Sequence, residues 1–192
     1  MNAPSRLHPA LNGEVTLDGE FARLYYQRRL PHAPERVWAA ITDPAQLKHW
    51  FMASSARIDG RQGGSFETVA GPAQIRAHGR IITWDPPRVY EHEWITEPRD
   101  EIPQGESSFV RWELTPVEGE TLLTLEHRRL TKMTAVGFAP GWHAFLDRLA
   151  ALLGKQPLPD WMQRFCVLQE SYPGWEAPSS GSPGVLEHGA SS

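Results

Sequence analysis

The stretch from Leu24 to Phe51, LYYQRRLPHAPERVWAAITDPAQLKHWF, limits what this chain can fold into more than any other segment. Alternation over Phe21 to Leu30 predicts a strand, with Leu24, Tyr26 and Leu30 in one phase and Tyr25, Gln27 and Arg29 in the other. A short helix follows Pro31. Pro34 suits its first turn, Glu35 complements its dipole, and Val37, Trp38 and Ile41 form its apolar face. Asp43-Pro44 repeats the device as N-cap and first turn of a second short helix carrying Leu47, Trp50 and Phe51. Helices this short do not stand alone, so the pair must plug a curved sheet built from later residues.

The later sequence supplies that sheet. Asp59-Gly60 and Gly63-Gly64 bracket a tight turn, and strands are expected over Ser65 to Ala70 and Ala73 to Trp84. Asp85-Pro86-Pro87 ends the second, because proline cannot extend a ladder. Val89 to Ile95, Phe109 to Thr115 and Thr121 to Leu130 complete an antiparallel meander, the last two joined through Glu118-Gly119. Thr134 to Leu153 reads as one long helix, with Phe138, Trp142, Phe145, Leu149 and Leu152 at helical spacing and Gly154 as its stop. His143, Asp147 and Arg148 fall on its other side. The expected organisation is a flexible arm over 1–19, one domain over 20–154, a helical extension over 155–175 and a disordered tail over 176–192.

Composition narrows the classes of function. At 192 residues, 40% of them hydrophobic, the chain supports one well-formed core. A net charge of −4 leaves no basic footprint for nucleic acid. One cysteine, Cys166, excludes an intrachain disulfide and a cysteine-based zinc site, and its neighbours Phe165 and Val167 mark it as a small buried hydrophobe. Neither a signal-peptide core nor an apolar run of about 18 residues is present, which points to the cytoplasm and to no membrane insertion.

Strand, two short helices, antiparallel strands and one long C-terminal helix make an α+β domain. A curved antiparallel sheet is expected to wrap the long helix, with two short helices between strands 1 and 2 plugging one end, the arrangement that the resemblance described next names helix-grip. The residues also resemble a family. Arg29-Leu30-Pro31 leads into Pro34-Glu35-x-Val37-Trp38, and Thr42-Asp43-Pro44-x-x-Leu47-x-x-Trp50 follows. Gly63-Gly64-Ser65-Phe66 comes next, then Gly79-Arg80-Ile81 running to Pro86-Pro87-Arg88. Trp94, Thr121-x-Leu123-x-Leu125-x-His127 and Gly141-Trp142 complete the set, which spans roughly residues 20 to 153. This order is similar to the START-like (SRPBCC) superfamily, in the branch named for homologues of the activator of heat-shock protein 90 ATPase. The resemblance implies a deep internal cavity. Relatives bind lipids, hormones or aromatic polyketides; some are cyclases, and one group stimulates a chaperone ATPase.

The signatures of acyl-enzyme hydrolases, nucleotide-binding loops and zinc proteases are missing, and no cofactor or metal is expected. Chemistry would have to come from the inward strand phases. Tyr90, His92 and Trp94 share one such phase, Val110, Trp112 and Leu114 a second, and Leu123, Leu125 and His127 a third. His92 and His127 are the candidate acid–base residues; the competing reading of each is a core histidine satisfied by a neighbour. The candidate ligand cavity comprises Val37, Trp38, Ile41, Tyr90, His92, Trp94, Trp112, Leu114, Leu123, Leu125, His127, Trp142, Phe145 and Leu149. Glu91 and Glu93 face away from His92 and read as a solvated outer face; His78 also reads as outward. His143 and Asp147 read as a modest i,i+4 surface pair. Trp50 reads as a packing anchor near the cavity rim, and Trp161 and Trp175 as clamps holding the C-terminal extension.

Three functions compete. The first is a binding module for a hydrophobic small molecule. The second is a cyclase, dehydratase or hydrolase of the same fold using His92 or His127. The third is a chaperone ATPase regulator, for which the chain lacks room for the separate chaperone-binding domain of the eukaryotic activators. The reading favours binding over catalysis. Exposed strand edges and the C-terminal helix offer surface for a homodimer.

Overall fold

The computed structural model describes residues 13–100 and 102–172. Eight strands form one antiparallel sheet: β1 (Glu14–Asp18), β2 (Phe21–Leu30), β3 (Ser55–Ile58), β4 (Ser65–Ala70), β5 (Ile75–Asp85), β6 (Val89–Thr96), β7 (Glu106–Val117) and β8 (Glu120–Thr131). Their spatial order is β1-β2-β8-β7-β6-β5-β4-β3, so only the β2–β8 pairing joins strands distant in sequence. Helices α1 (Pro34–Thr42) and α2 (Pro44–Trp50) lie between β2 and β3, and α3 (Lys132–Leu153) and α4 (Trp161–Gln169) follow the sheet.

The expected devices hold locally. Asp43 caps α2 by accepting the Ala45 N–H at 2.9 Å, and Asp160 caps α4 through the Gln163 N–H at 2.7 Å. Register shifts in the β2–β8 and β5–β6 pairings bend the sheet, and its concave face receives the helices. Strand alternation delivers Leu24, Tyr26, Tyr90, His92, Trp94, Val110, Trp112, Leu123, Leu125 and His127 to the interior. From the helix side come Val37, Ile41, Trp50, Trp142, Leu146 and Leu149.

Several expectations are corrected. Residues 14–18, read as part of a loose arm, form β1 and pair along β2 from Glu14↔Tyr25 to Asp18↔Phe21. Glu91 is buried, not solvated, because Arg111 and Arg128 cover it with contacts of 2.8 and 2.6 Å. Burial alone would raise its pKa; the two guanidiniums outweigh that and lower it. His143 is buried, with the Tyr172 hydroxyl 2.8 Å from its Nδ1, so its pairing with Asp147 is no surface contact. Cys166 is exposed, since α4 turns its other face to the domain. Trp50 lies deep rather than near a rim, its indole N–H donating to the Ala40 carbonyl at 2.8 Å. Residues 1–12, Trp175 and the expected tail over 176–192 lie outside the described residues.

Candidate functional site

The N-terminal half of α3 does not close onto the sheet along its whole length. Gly137, Phe138, Gly141, Trp142 and Phe145 recur on one stripe of the helix, and a Cβ added at Gly137 would meet no atom within 4 Å. The missing side chains at 137 and 141 leave a cavity of about 330 Å³. Trp94 on β6 borders it from the sheet, together with Phe51, which follows α2. The β4–β5 turn adds Ala70 to Ala73, with Gly71 at φ +73° and its Cβ position 3.4 Å from the Phe145 ring. Ile75, Ile102 and the α4 side chains Trp161, Met162 and Phe165 complete the wall. Met133 and Met162, 65% and 52% exposed, stand at the outer edge. No charged residue lines the cavity among the described residues, and Thr134 supplies the only side-chain hydroxyl. Such a lining suits an apolar guest.

Behind Phe51, Trp94 and Trp142 lies a second space of about 20 Å³, which these three aromatics share with the first. Phe66, Tyr90, His92 and Trp112 are among its other walls. Phe51 stacks on Trp142 at 5.5 Å, and the His92 ring lies 3.9 Å from Phe66 and 4.8 Å from Tyr90. Burial holds the His92 pKa down at about 4, despite the Glu93 carbonyl and the Glu91 charge, and it raises that of Tyr90.

His127 is committed elsewhere. The Trp142 indole N–H donates to its Nδ1 at 2.9 Å, which makes Nδ1 an acceptor and leaves the proton of the neutral ring on Nε2. Nε2–H then donates to Ser108 Oγ at 2.9 Å, and that hydroxyl donates onward to the Trp94 carbonyl at 3.2 Å. Serine and histidine are thus arranged opposite to a nucleophile–base pair, in which the hydroxyl would donate to the imidazole. Burial, with His92 as the smaller cause, keeps the His127 pKa well below its ordinary value.

The residues read as cavity-lining therefore divide. Trp94, Trp142 and Phe145 line the larger space; Ile41, Tyr90, His92 and Trp112 line the smaller. Val37, Leu114, Leu123, Leu125, His127 and Leu149 are filled core and border neither. Trp38 is partly buried against Trp84 and Tyr90, at ring distances of 5.0 and 6.4 Å. Sequence reasoning missed the wall made by α4 and the β4–β5 turn. The i,i+4 pair Trp161 and Phe165, whose rings stack at 4.8 Å, was the available signal.

On the far side of α3, α4 and the segment after it are fastened by polar contacts. Arg164 donates to Asp147 at 2.6 Å, and the Tyr172 hydroxyl lies 2.8 Å from His143 Nδ1 while accepting the Gly13 N–H at 2.9 Å. Arg148 joins α3 to the α2 terminus through the Trp50 and His49 carbonyls at 3.0 and 2.9 Å, and also binds the Pro159 carbonyl.

A curved antiparallel sheet gripping one long C-terminal helix, with two small helices at one end and a cavity beside the long one, defines a START-like helix-grip protein. The chain belongs to the family described as Activator of Hsp90 ATPase homolog 1-like protein, which matches residues 31–154. No curated protein matches it. The crystal structure of CalU16 from Micromonospora echinospora is similar, with 25% identity over 83% of this chain and 91% of that one and a TM-score of 0.61. The solution structure of the protein encoded by BPP1335 of Bordetella parapertussis shares 27% identity over 83% and 88%, with a TM-score of 0.62. EF2215 from Enterococcus faecalis, a conserved protein of unknown function, shares the fold at 16% identity, 84% and 91% coverage and a TM-score of 0.63. No described helix is long and apolar enough to cross a membrane, and no cluster of metal-ligating side chains occurs among the described residues.

Proposed function

We propose that this protein binds a small hydrophobic molecule in the cavity between α3, α4 and the β4–β5 turn. The observation that carries the proposal is a space of about 330 Å³ whose lining is aromatic and aliphatic and holds no charged side chain. That volume is within the range of small-molecule sites, roughly 300–1,000 Å³. The two glycines of α3 support the same reading, because ordinary helix residues there would project into the space. Acid–base catalysis by His127 finds no support, since both its nitrogens are engaged.

Denaturing extraction of freshly purified protein, followed by mass spectrometry, tests the proposal, together with thermal melting in a library of apolar and aromatic compounds. A bound apolar species, or a melting shift abolished by Gly137→Leu, is expected. An empty protein that no library member stabilises overturns it.

A further inference from the structure

Resting on the reading of the larger cavity as an apolar ligand site, we propose that Met133 and Met162 make that site sensitive to peroxide. Oxidation of the two thioethers to sulfoxides turns the cavity mouth polar and lowers its affinity for the ligand. Both residues line the cavity, and they are 65% and 52% exposed, so an oxidant in solution reaches them without any opening of the fold. They come from different elements, Met133 from the first turn of α3 and Met162 from the first turn of α4. Each of these helices supplies further apolar side chains to the wall. Met52, the remaining methionine among the described residues, borders neither space and is partly buried against the core.

The chemistry needs only hydrogen peroxide. A sulfur lone pair attacks one peroxide oxygen, the O–O bond breaks and an S–O bond forms. The departing hydroxide takes the proton left on the transferred oxygen and leaves as water. Sulfur is oxidised and the peroxide reduced by the same electron pair. The product is a strong hydrogen-bond acceptor on a side chain that was apolar.

The wall has little to offer such a group. No charged residue lines the cavity, and the Trp94 and Trp161 indole N–H groups are sealed within the packing. The new oxygen therefore keeps its bonds to water. A ligand that packs against either side chain must strip that water away without replacing it. The thioether imposes no such cost, because it is apolar, polarizable and suited to an aromatic wall. Leucine would complete the same apolar edge at similar helix propensity. What the two methionines add is a sulfur that can be oxidised and restored.

Fluorescence titration of the full chain with N-phenyl-1-naphthylamine, before and after treatment with hydrogen peroxide, tests the proposal. The measurements use Cys166→Ser, which removes the exposed thiol as a second target. Peptide mass spectrometry should place the added oxygen at Met133 and Met162 ahead of Met52. On oxidation Kd should rise at least about fivefold, the lower end of what an uncompensated polar group costs on burial. Treatment with methionine sulfoxide reductases should restore it. When Met133→Leu and Met162→Leu are combined, the ratio of the two Kd values should lie within about twofold of unity, whatever the starting affinity. Oxidation confined to other residues, or an unchanged Kd once both sulfurs are oxidised, overturns the proposal and leaves the cavity reading standing. So does a rise that persists in the double variant or that the reductases do not reverse. Failure of the untreated protein to bind the naphthylamine overturns both.

Discussion

The two sides of α3 meet the rest of the protein differently. On one, Gly137, Phe138 and Gly141 border open volume with an apolar wall. On the other, His143 and Asp147 are enclosed with Arg28, Arg164 and Tyr172 in a polar cluster. The open side forgoes packing, and a void of that kind leaves its lining without partner atoms. The closed side has directional bonds that hold α4 in place, and α4 in turn supplies Trp161, Met162 and Phe165 to the cavity wall. The polar contacts on one side of α3 thus help position the wall of the space on the other.

Acidification should break this arrangement most strongly. His92 has a folded-state pKa of about 4, below its ordinary value of about 6.5, so between those values the unfolded chain binds more protons. Its contribution is fully present above about pH 6.5 and is lost as pH falls through that window, amounting to about 3 kcal/mol at pH 4. His127 and His143, also held low mainly by burial, act with the same sign. Urea midpoints measured from pH 7 to pH 4 should fall, and His92→Phe should flatten part of the slope. A pH-independent midpoint would contradict neutral buried imidazoles.

Asp147→Ala ranks second. Asp147 lies 4.0 Å from the buried Arg28 and 2.6 Å from Arg164. Its removal leaves the Arg28 guanidinium without a carboxylate, and burial already lowers the pKa of that group. A loss of about 3 kcal/mol is expected, or about 6–12 °C in melting temperature. A change below about 2 °C would mean that the closed side contributes little.

Ser108→Ala is expected to lose about 2 kcal/mol, because it strands the His127 Nε2–H in a buried site. Chemical denaturation reads the loss, and apolar ligand binding should be unaffected. Loss of binding without loss of stability would return His127 to the functional site.

Gly137→Leu has the smallest expected effect on stability and separates the two sides most sharply. Removing a glycine from a helix interior favours the fold by about 0.5–1 kcal/mol, while the new side chain occupies the open volume. Ligand-dependent thermal shifts should vanish while the melting temperature of the free protein holds or rises. A fall in that temperature would show that the space beside Gly137 closes in solution.

Much of the fold is legible in the residues. Period-two alternation places His92, Trp94, Trp112 and His127 inward, and Asp43 and Pro44 mark the break between the two small helices. Three of the faults share one physical origin. Alternation assigns a residue to a face but says nothing of what covers that face. Glu91 is on the outer side, yet Arg111 and Arg128 bury it. His143 is off the apolar stripe of α3, yet it is buried with the Tyr172 hydroxyl against its Nδ1. Cys166 has apolar neighbours in sequence, yet faces solvent.

The candidate site was legible only in outline. Trp94, Trp142 and Phe145 follow from periodicity, whereas Leu123, Leu125 and Leu149 in the same phases are filled core. The difference is which elements meet around each residue: the larger space is bounded by α4 and the β4–β5 turn as well as α3, and no local pattern encodes that meeting.

The chain by itself determines most of the order of elements, the inward strand phases and the family, because turns, caps and periodicity act over a few residues. Tertiary structure decides where the interior stays open, which of two inward histidines has a free nitrogen, and that α4 forms a wall. Those outcomes depend on groups brought together from far apart in sequence. Trp142 and Ser108 both reach His127 and complete one histidine, while Tyr90 and Trp94 are left with unpartnered polar atoms.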